Sequence, residues 1–228
     1  MTLPTAQDVR ALHEKYAPSQ AAFDLVHTHC EIVCRIAEQL MARTDHGLDA
    51  DLVRTGALLH DIGVYRLYDR AGRLDHGNYI RHGVLGHEIL RREGFPERLS
   101  RFCSCHTGVG LTRHDIREHK LPVPVADYLA ESTEEQLVMY ADKFHTKSTP
   151  PKFLDADVYA SHLRKFGEDK VAAFHTLRAR FGEPDLAPLK AQYEDAAALA
   201  RYRERRAAGA TVGIPHEAVR ARLGLERE

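Results

Sequence analysis

The chain of 228 residues has no tryptophan, only 3 methionines and a formal net charge of -1. So weak a charge excludes a field that would select nucleic acid or an anionic membrane, and any phosphate recognition has to be local. No run approaches the ~20 consecutive apolar residues that a spanning helix needs. The opening "MTLPTAQDVR" lacks both the basic and the apolar region of a secretory leader. A cytoplasmic protein without membrane or nucleic-acid partners is the expectation. Cysteine is scarce too. Cys30, Cys34, Cys103 and Cys105 form two close pairs within apolar-periodic segments, with no CxxC…CxxC framework. They read as free thiols filling core space rather than as disulfides or a zinc–thiolate site. Hydrophobic residues make up 43%, which excludes wholesale disorder, and the length suits one sizeable core or one domain with an appendage.

Histidine is the residue in excess, at 15. The segments that carry it read as helix after helix. Thr5 with Asp8 forms a capping box that opens a first helix through Tyr16. Amphipathic stretches follow from Ala21 to Met41, ended by the "TDHG" turn, from Asp49 to His60, and from Asn78 to Glu93. Pro96 starts a short helix to His106, and Gly108 and Gly110 break it. "LPVPVADYLAEST" is an irregular linker, after which Thr133 with Gln136 caps a helix through His145. Helical patterns resume from Asp155 to Phe181 and from Pro188 to Ala207, including the solvated run "RYRERRAAGA". No segment alternates with period two, so the fold class is all-α.

Helical periodicity sorts the histidines. His29 shares a face with Leu25, Ile32, Val33, Ile36 and Leu40, whereas His27 lies with Glu31, Arg35 and Glu38 and is expected to face outward. His60 completes the face of Val53, Gly56 and Ala57. His82 aligns with Leu85, Gly86 and Ile89, and His106 with Leu99, Phe102 and Cys103. Asp142 follows Val138 and Met139. His13, His46, His114, His119, His162, His175 and His216 read as surface or boundary residues. With Asp61 beside His60, six inward polar side chains are a large desolvation liability if unpaired. Each could be satisfied by its own hydrogen-bond partner, but a shared cation cluster satisfies all six at once. Histidine plus carboxylate suits Zn, Fe, Mn, Co or Ni.

The order His29, His60-Asp61, His82, His106, Asp142 resembles the metal-binding pattern of the HD-domain superfamily. Local matches are "HCEIVCRIA", "GALLHDIG", "YIRHGVLGHEILRREGFPE", "CHTGVGLT" and "YADKFHTKS", together spanning about Gln20 to Lys152. The resemblance implies an all-helical bundle that acts on phosphoesters, especially nucleotides. A single-metal member would use His29, His60, Asp61 and Asp142. The two added histidines, His82 and His106, resemble the dinuclear subgroups, in which the carboxylate matching Asp61 bridges two divalent transition metals. These include dinucleoside polyphosphate hydrolases, cyclic-dinucleotide phosphodiesterases and a minority of mixed-valent diiron oxygenases. Cyclic-dinucleotide members commonly carry a lysine after "HDIG" and a Gly-Tyr-Pro motif. This chain has Val64 and no such motif, which argues against that assignment.

The reading that follows is a phosphohydrolase in which a metal-bridging hydroxide attacks phosphorus, with Asp61 and His60 at the catalytic centre. Arg66, Arg81 and Lys143 are candidates for the missing phosphate cation. His87 stands at the rim, Tyr79 (with Tyr65, Tyr68 and the loop at His76) forms a substrate wall, and Thr107-Gly108 offers backbone N–H groups to phosphate. The partner is a small phosphorylated molecule. An HD-type diiron oxygenase is the alternative enzyme, and a non-catalytic helical module with a structural metal is the third reading. Residues 1–152 form the metal-binding domain. Residues 153–228 form a C-terminal helical extension, expected to pack on the same core, and its periodicity leaves a homodimer open.

Overall fold

The computed structural model describes residues 3–43, 47–148 and 151–193. Met1–Asp185 form one compact unit and Leu186–Glu228 a second. The first is all-α: α1 (Ala6–Tyr16), α2 (Gln20–Ala42), α3 (Ala50–Leu59), α4 (His82–Arg92), α5 (Glu97–Cys105), α6 (Arg113–Glu118), α7 (Thr133–Ala141), α8 (Ala156–Leu163) and α9 (Glu168–Phe181). Only isolated β-bridges occur among the described residues. Of the second unit, residues 187–193 are helical; the rest of the helix expected through Ala207, the arginine-rich run and His216 lie outside the described residues, as does His46.

The central element is α2, whose N-cap Ser19 accepts from the Ala22 N–H. Val26, His29, Cys30, Val33, Ile36, Ala37 and Leu40 are all fully buried on it. It packs against α3 and α7, while α1 lies against both α2 and α3. The position of α1 corrects two expectations. His13 is fully buried, where its Nε2–H donates to the Leu58 carbonyl at 2.8 Å and its Nδ1 accepts from the Tyr65 hydroxyl at 2.9 Å. His27 is also buried, stacked on Phe23 at 4.8 Å and edge-on to His13 at 5.1 Å. Only the His27 end of the face that the α2 sequence marks as polar is covered by α1, and Arg35 stays exposed.

Helix α4 docks against α5 and against the 3₁₀ turn Ile62–Leu67 that follows α3. Glycines permit this approach. A Cβ on Gly63 would lie 2.0 Å from the His82 carbonyl oxygen and 2.3 Å from the Gly86 nitrogen, and a Cβ on Gly83 would lie 2.7 Å from the Cys103 carbonyl oxygen. The single helix expected from Asn78 is instead a 3₁₀ segment, His76–Arg81, with α4 starting at His82. The cap of α7 is Ser132 with Glu135, one residue before the expected Thr133–Gln136 pair. Glu135 also accepts from the Arg101 guanidinium at 2.8 and 3.2 Å, which ties α7 to α5. All four cysteines are free thiols. No helix among the described residues is long and apolar enough to cross a membrane.

Candidate metal centre

The six polar side chains converge, and helix ends deliver most of them. His60, His106 and Asp142 are the C-cap residues of α3, α5 and α7, and His82 is the first residue of α4. The last carbonyls of a helix have no N–H partner within it, and here imidazoles use them. His60 Nδ1–H donates to Ala57 O at 2.7 Å, His82 Nδ1–H to Tyr79 O at 2.6 Å, and His106 Nδ1–H to Phe102 O at 3.0 Å. Because a carbonyl only accepts, these bonds fix the tautomers and turn each Nε2 toward the centre. Asp61 sits where α3 gives way to the 3₁₀ turn, at φ -109° and ψ 9°, a bridge-region conformation that active-site residues often adopt.

Two ligand sets result. His29, His60, Asp61 and Asp142 form one, Asp61, His82 and His106 the other, and the donor atoms within each lie within 4.8 Å of one another. The two oxygens of Asp61 divide between them. Oδ2 faces His29 Nε2 (3.2 Å) and His60 Nε2 (3.4 Å), whereas Oδ1 faces His82 Nε2 and His106 Nε2, both at 3.5 Å. Asp142 Oδ1 closes the first set at 3.0 Å from His29 Nε2.

The atoms present fit cations. Burial pushes the His82 pKa down to about 3 and also lowers that of His106. Both rings are therefore neutral, with Nε2 lone pairs directed at each other across 3.0 Å. Two buried acceptors so close repel unless a positive centre lies beside them. His60 Nε2 and Asp61 Oδ1 likewise find no hydrogen-bond partner among the described residues, an expensive arrangement that a bound ion satisfies. Burial opposes charge on His60 most strongly, but Asp61, Cys30 and Asp142 together outweigh it and hold the pKa well above the usual imidazole range. Metal and proton thus compete for that nitrogen.

Two neighbours in "YADKFHTKS" had no part in the pattern read from sequence. His145 Nδ1 lies 2.8 Å from His29 Nδ1. Burial, with His29 and Lys147 adding to it, pushes the His145 pKa down to about 2, so it stays neutral and accepts from His29, freeing His29 Nε2 for metal. Lys147 Nζ forms an ion pair with Asp61 Oδ2. Burial disfavours charge on both partners, yet Asp61 raises the lysine pKa, and Lys147, ahead of His60, holds the Asp61 carboxyl well below the usual range. Their only sequence signal was distance from Asp142, three and five residues on.

The other predicted site residues divide. Lys143 is buried and joins the two ligand sets, donating to Asp142 Oδ2 at 2.7 Å and to the His106 carbonyl at 2.8 Å. Tyr79 packs its ring 4.8 Å from His82 and buries a hydroxyl that lacks a hydrogen-bond partner among the described residues; burial raises its pKa, so it remains an O–H donor. Thr107 lines a cavity of about 380 Å³ beside His106. Arg66 is exposed and lies over the Tyr16 ring, and Arg81 is exposed on the 3₁₀ segment. His87 pairs with Ser104 Oγ at 3.0 Å and faces Glu97, and Tyr65 turns inward to His13. These four are not brought to the cluster.

The HD-domain profile matches residues 26–147, more than half of the chain and including every residue of both ligand sets. The chain belongs to the HD-domain family. This HD-domain protein is 40% identical over 124 residues to an uncharacterized protein of Methanocaldococcus jannaschii, covering 52% of this chain and 66% of that one. It is 36% identical over 124 residues to the tRNA (cytidine(56)-2'-O)-methyltransferase of Picrophilus torridus, covering 54% of this chain and 32% of the enzyme. The tRNA (cytidine(56)-2'-O)-methyltransferase of Thermoplasma volcanium is 33% identical over 140 residues, covering 61% and 36% respectively. The chain thus spans about two thirds of the first relative and about a third of each methyltransferase. Two crystal structures of the HD domain of the L. monocytogenes phosphodiesterase PgpH, one in complex with cyclic-di-AMP, align with 81% of this chain at 16% and 18% identity, with TM-scores of 0.49 and 0.47.

Proposed function

We propose that this HD-domain protein is a metal-dependent phosphohydrolase that cleaves a phosphoester or phosphoanhydride of a nucleotide or similar small molecule at a two-metal centre. The observation that carries the reading is the division of the Asp61 carboxylate, one oxygen to each ligand set. Two bound cations supply the chemistry, lowering the pKa of a water and neutralising charge on the phosphoryl group. The chain supplies the rest. Asp61 spaces the two sets, and the helix-end carbonyls at Ala57, Tyr79 and Phe102 hold three imidazoles in the ligating tautomer. Lys143 keeps Asp142 and the end of α5 in register. Burial of His29, His60, Asp61, His82 and His106, with only Asp142 partly exposed, limits bulk water, which strengthens charge interactions at the site. The cavity beside Thr107, walled by Ile80, Val109, Leu111, Tyr159 and Leu163, offers room for the organic part of the substrate.

The test is a screen of nucleotides and dinucleoside polyphosphates with Mn, Fe and Co, coupled to metal analysis. Phosphate or nucleotide release that disappears on chelation and in Asp61→Ala supports the reading. Retained iron with a mixed-valent EPR signal, and no hydrolysis of any substrate, would overturn it in favour of oxygenase chemistry.

A further inference from the structure

Val64, directly after "HDIG", is fully buried in the core and carries no charge to the centre. The cation that reaches the shared carboxylate comes from the other end of the fold, as Lys147 on the segment following Asp142. Its Nζ also lies 6.0 Å from the centre of the Tyr79 ring. An ammonium and a buried hydroxyl without a hydrogen-bond partner among the described residues thus flank the one residue common to both ligand sets. In the metal-free protein the ammonium has Asp61 as counter-ion. Cations bound through both oxygens of Asp61 would neutralise that carboxylate and leave Lys147 beside positive charge. An anion is then needed at the same place, and a tetrahedral oxyanion has oxygens to give to metal, ammonium and hydroxyl together.

We propose that Lys147 and Tyr79 form the oxyanion-binding pair of this centre, and that Lys147 exchanges Asp61 for a phosphoryl oxygen of the substrate when the cations load. The pair selects a phosphoryl group over a neutral ester, and it makes anion binding conditional on metal. The inference rests on the phosphohydrolase reading and assigns that site its charge partner.

The test is calorimetric titration of inorganic phosphate into the full chain, metal-loaded and chelator-stripped, alongside hydrolysis assays. Wild type is expected to bind phosphate at least tenfold more tightly when loaded. In the loaded state Lys147→Met weakens binding by ten- to a hundredfold at unchanged metal content, and Lys147→Arg restores most of it. Tyr79→Phe, which removes an oxygen without a hydrogen-bond partner among the described residues and so leaves the fold intact, weakens binding about tenfold. Stripped Lys147→Met melts lower than stripped wild type, because buried Asp61 loses its ammonium and keeps only its histidine neighbours. If loaded Lys147→Met and Tyr79→Phe both bind phosphate as wild type does while wild type hydrolyses phosphoesters, the pair is refuted and the phosphohydrolase stands. If loaded wild type neither hydrolyses phosphoesters nor binds phosphate better than stripped protein, both fail together.

Discussion

Alanine at Gly63 is a demanding perturbation of this centre, because the methyl group would meet backbone rather than a side chain that can turn away. Its Cβ would sit 2.0 Å from the His82 carbonyl oxygen and 2.3 Å from the Gly86 nitrogen, where ordinary contact begins at 3.4 Å. The 3₁₀ turn and α4 must therefore separate by about 1.4 Å to reach ordinary contact, an overpacking that costs ~1–3 kcal/mol. For a protein of this size that lowers the melting temperature by roughly 2–12 °C. The functional consequence is more specific. His82 is carried by α4, and metal ligands tolerate displacements of only about 0.2 Å, so under the two-metal reading the set of Asp61, His82 and His106 is expected to lose its ion. The other set has no member on α4 and keeps its own. Circular dichroism melts with metal counting by mass spectrometry should show the lower melting point and a fall from two ions per chain toward one. A Gly63→Ala protein that melts like wild type and still binds two ions would refute this account of the glycine.

His82→Ala and His106→Ala should each reduce the metal count from two to one while leaving the other set loaded; unchanged counts by the same mass spectrometry would mean a single-metal site. His13 holds a folded pKa of about 4, with burial the main cause, against an ordinary 6.5. Because the unfolded chain takes up this proton first, its stability contribution is complete above pH 6.5 and is lost as pH falls from 6.5 to 4, on the order of 3 kcal/mol. Urea midpoints between pH 7 and 4.5 should therefore fall less steeply for His13→Gln than for wild type, and parallel slopes would disprove the assignment. Glu135→Ala leaves Arg101 without its closest carboxylate and frees the Glu131 and Ser132 N–H groups; denaturant unfolding should show a loss of about 3 kcal/mol. Chelation should lower the melting temperature reversibly, by a stability equivalent of about 2.7 kcal/mol when free metal had stood at a hundred times its dissociation constant.

The convergence of the six polar side chains was legible in the sequence for a physical reason. Each lies on or just beyond a helix whose apolar stripe points at the core, so the stripe predicts the direction of the side chain. The limits have equally local causes. A helical wheel describes one helix against one neighbour, and α2 has partners on more than one side; hence His27, among Glu31 and Glu38, was placed outward although α1 covers it. The burial of His13 follows from the same contact. Lys147 and His145 lie beyond the 3₁₀ turn Asp142–Phe144, where the chain has no period from which to infer direction. The cap of α7 was misplaced by one residue because Ser132 and Thr133 are both good N-caps. What decides between them is Glu135, whose carboxylate serves Arg101 as well as the cap, a tertiary contact that no local pattern contains.

Lys143 was expected to bind substrate rather than metal, yet its one ammonium grips the Asp142 carboxylate and the main chain of His106, thirty-seven residues away. That makes it a strut between two ligand sets that otherwise share only Asp61, its length set by four methylenes rather than by the backbone. Under the two-metal reading, the spacing of the sets then depends on this replaceable side chain as well as on Asp61. A shorter or longer cation at this position would shift Asp142 and the end of α5 together, changing the reach of the centre while every candidate ligand keeps its identity.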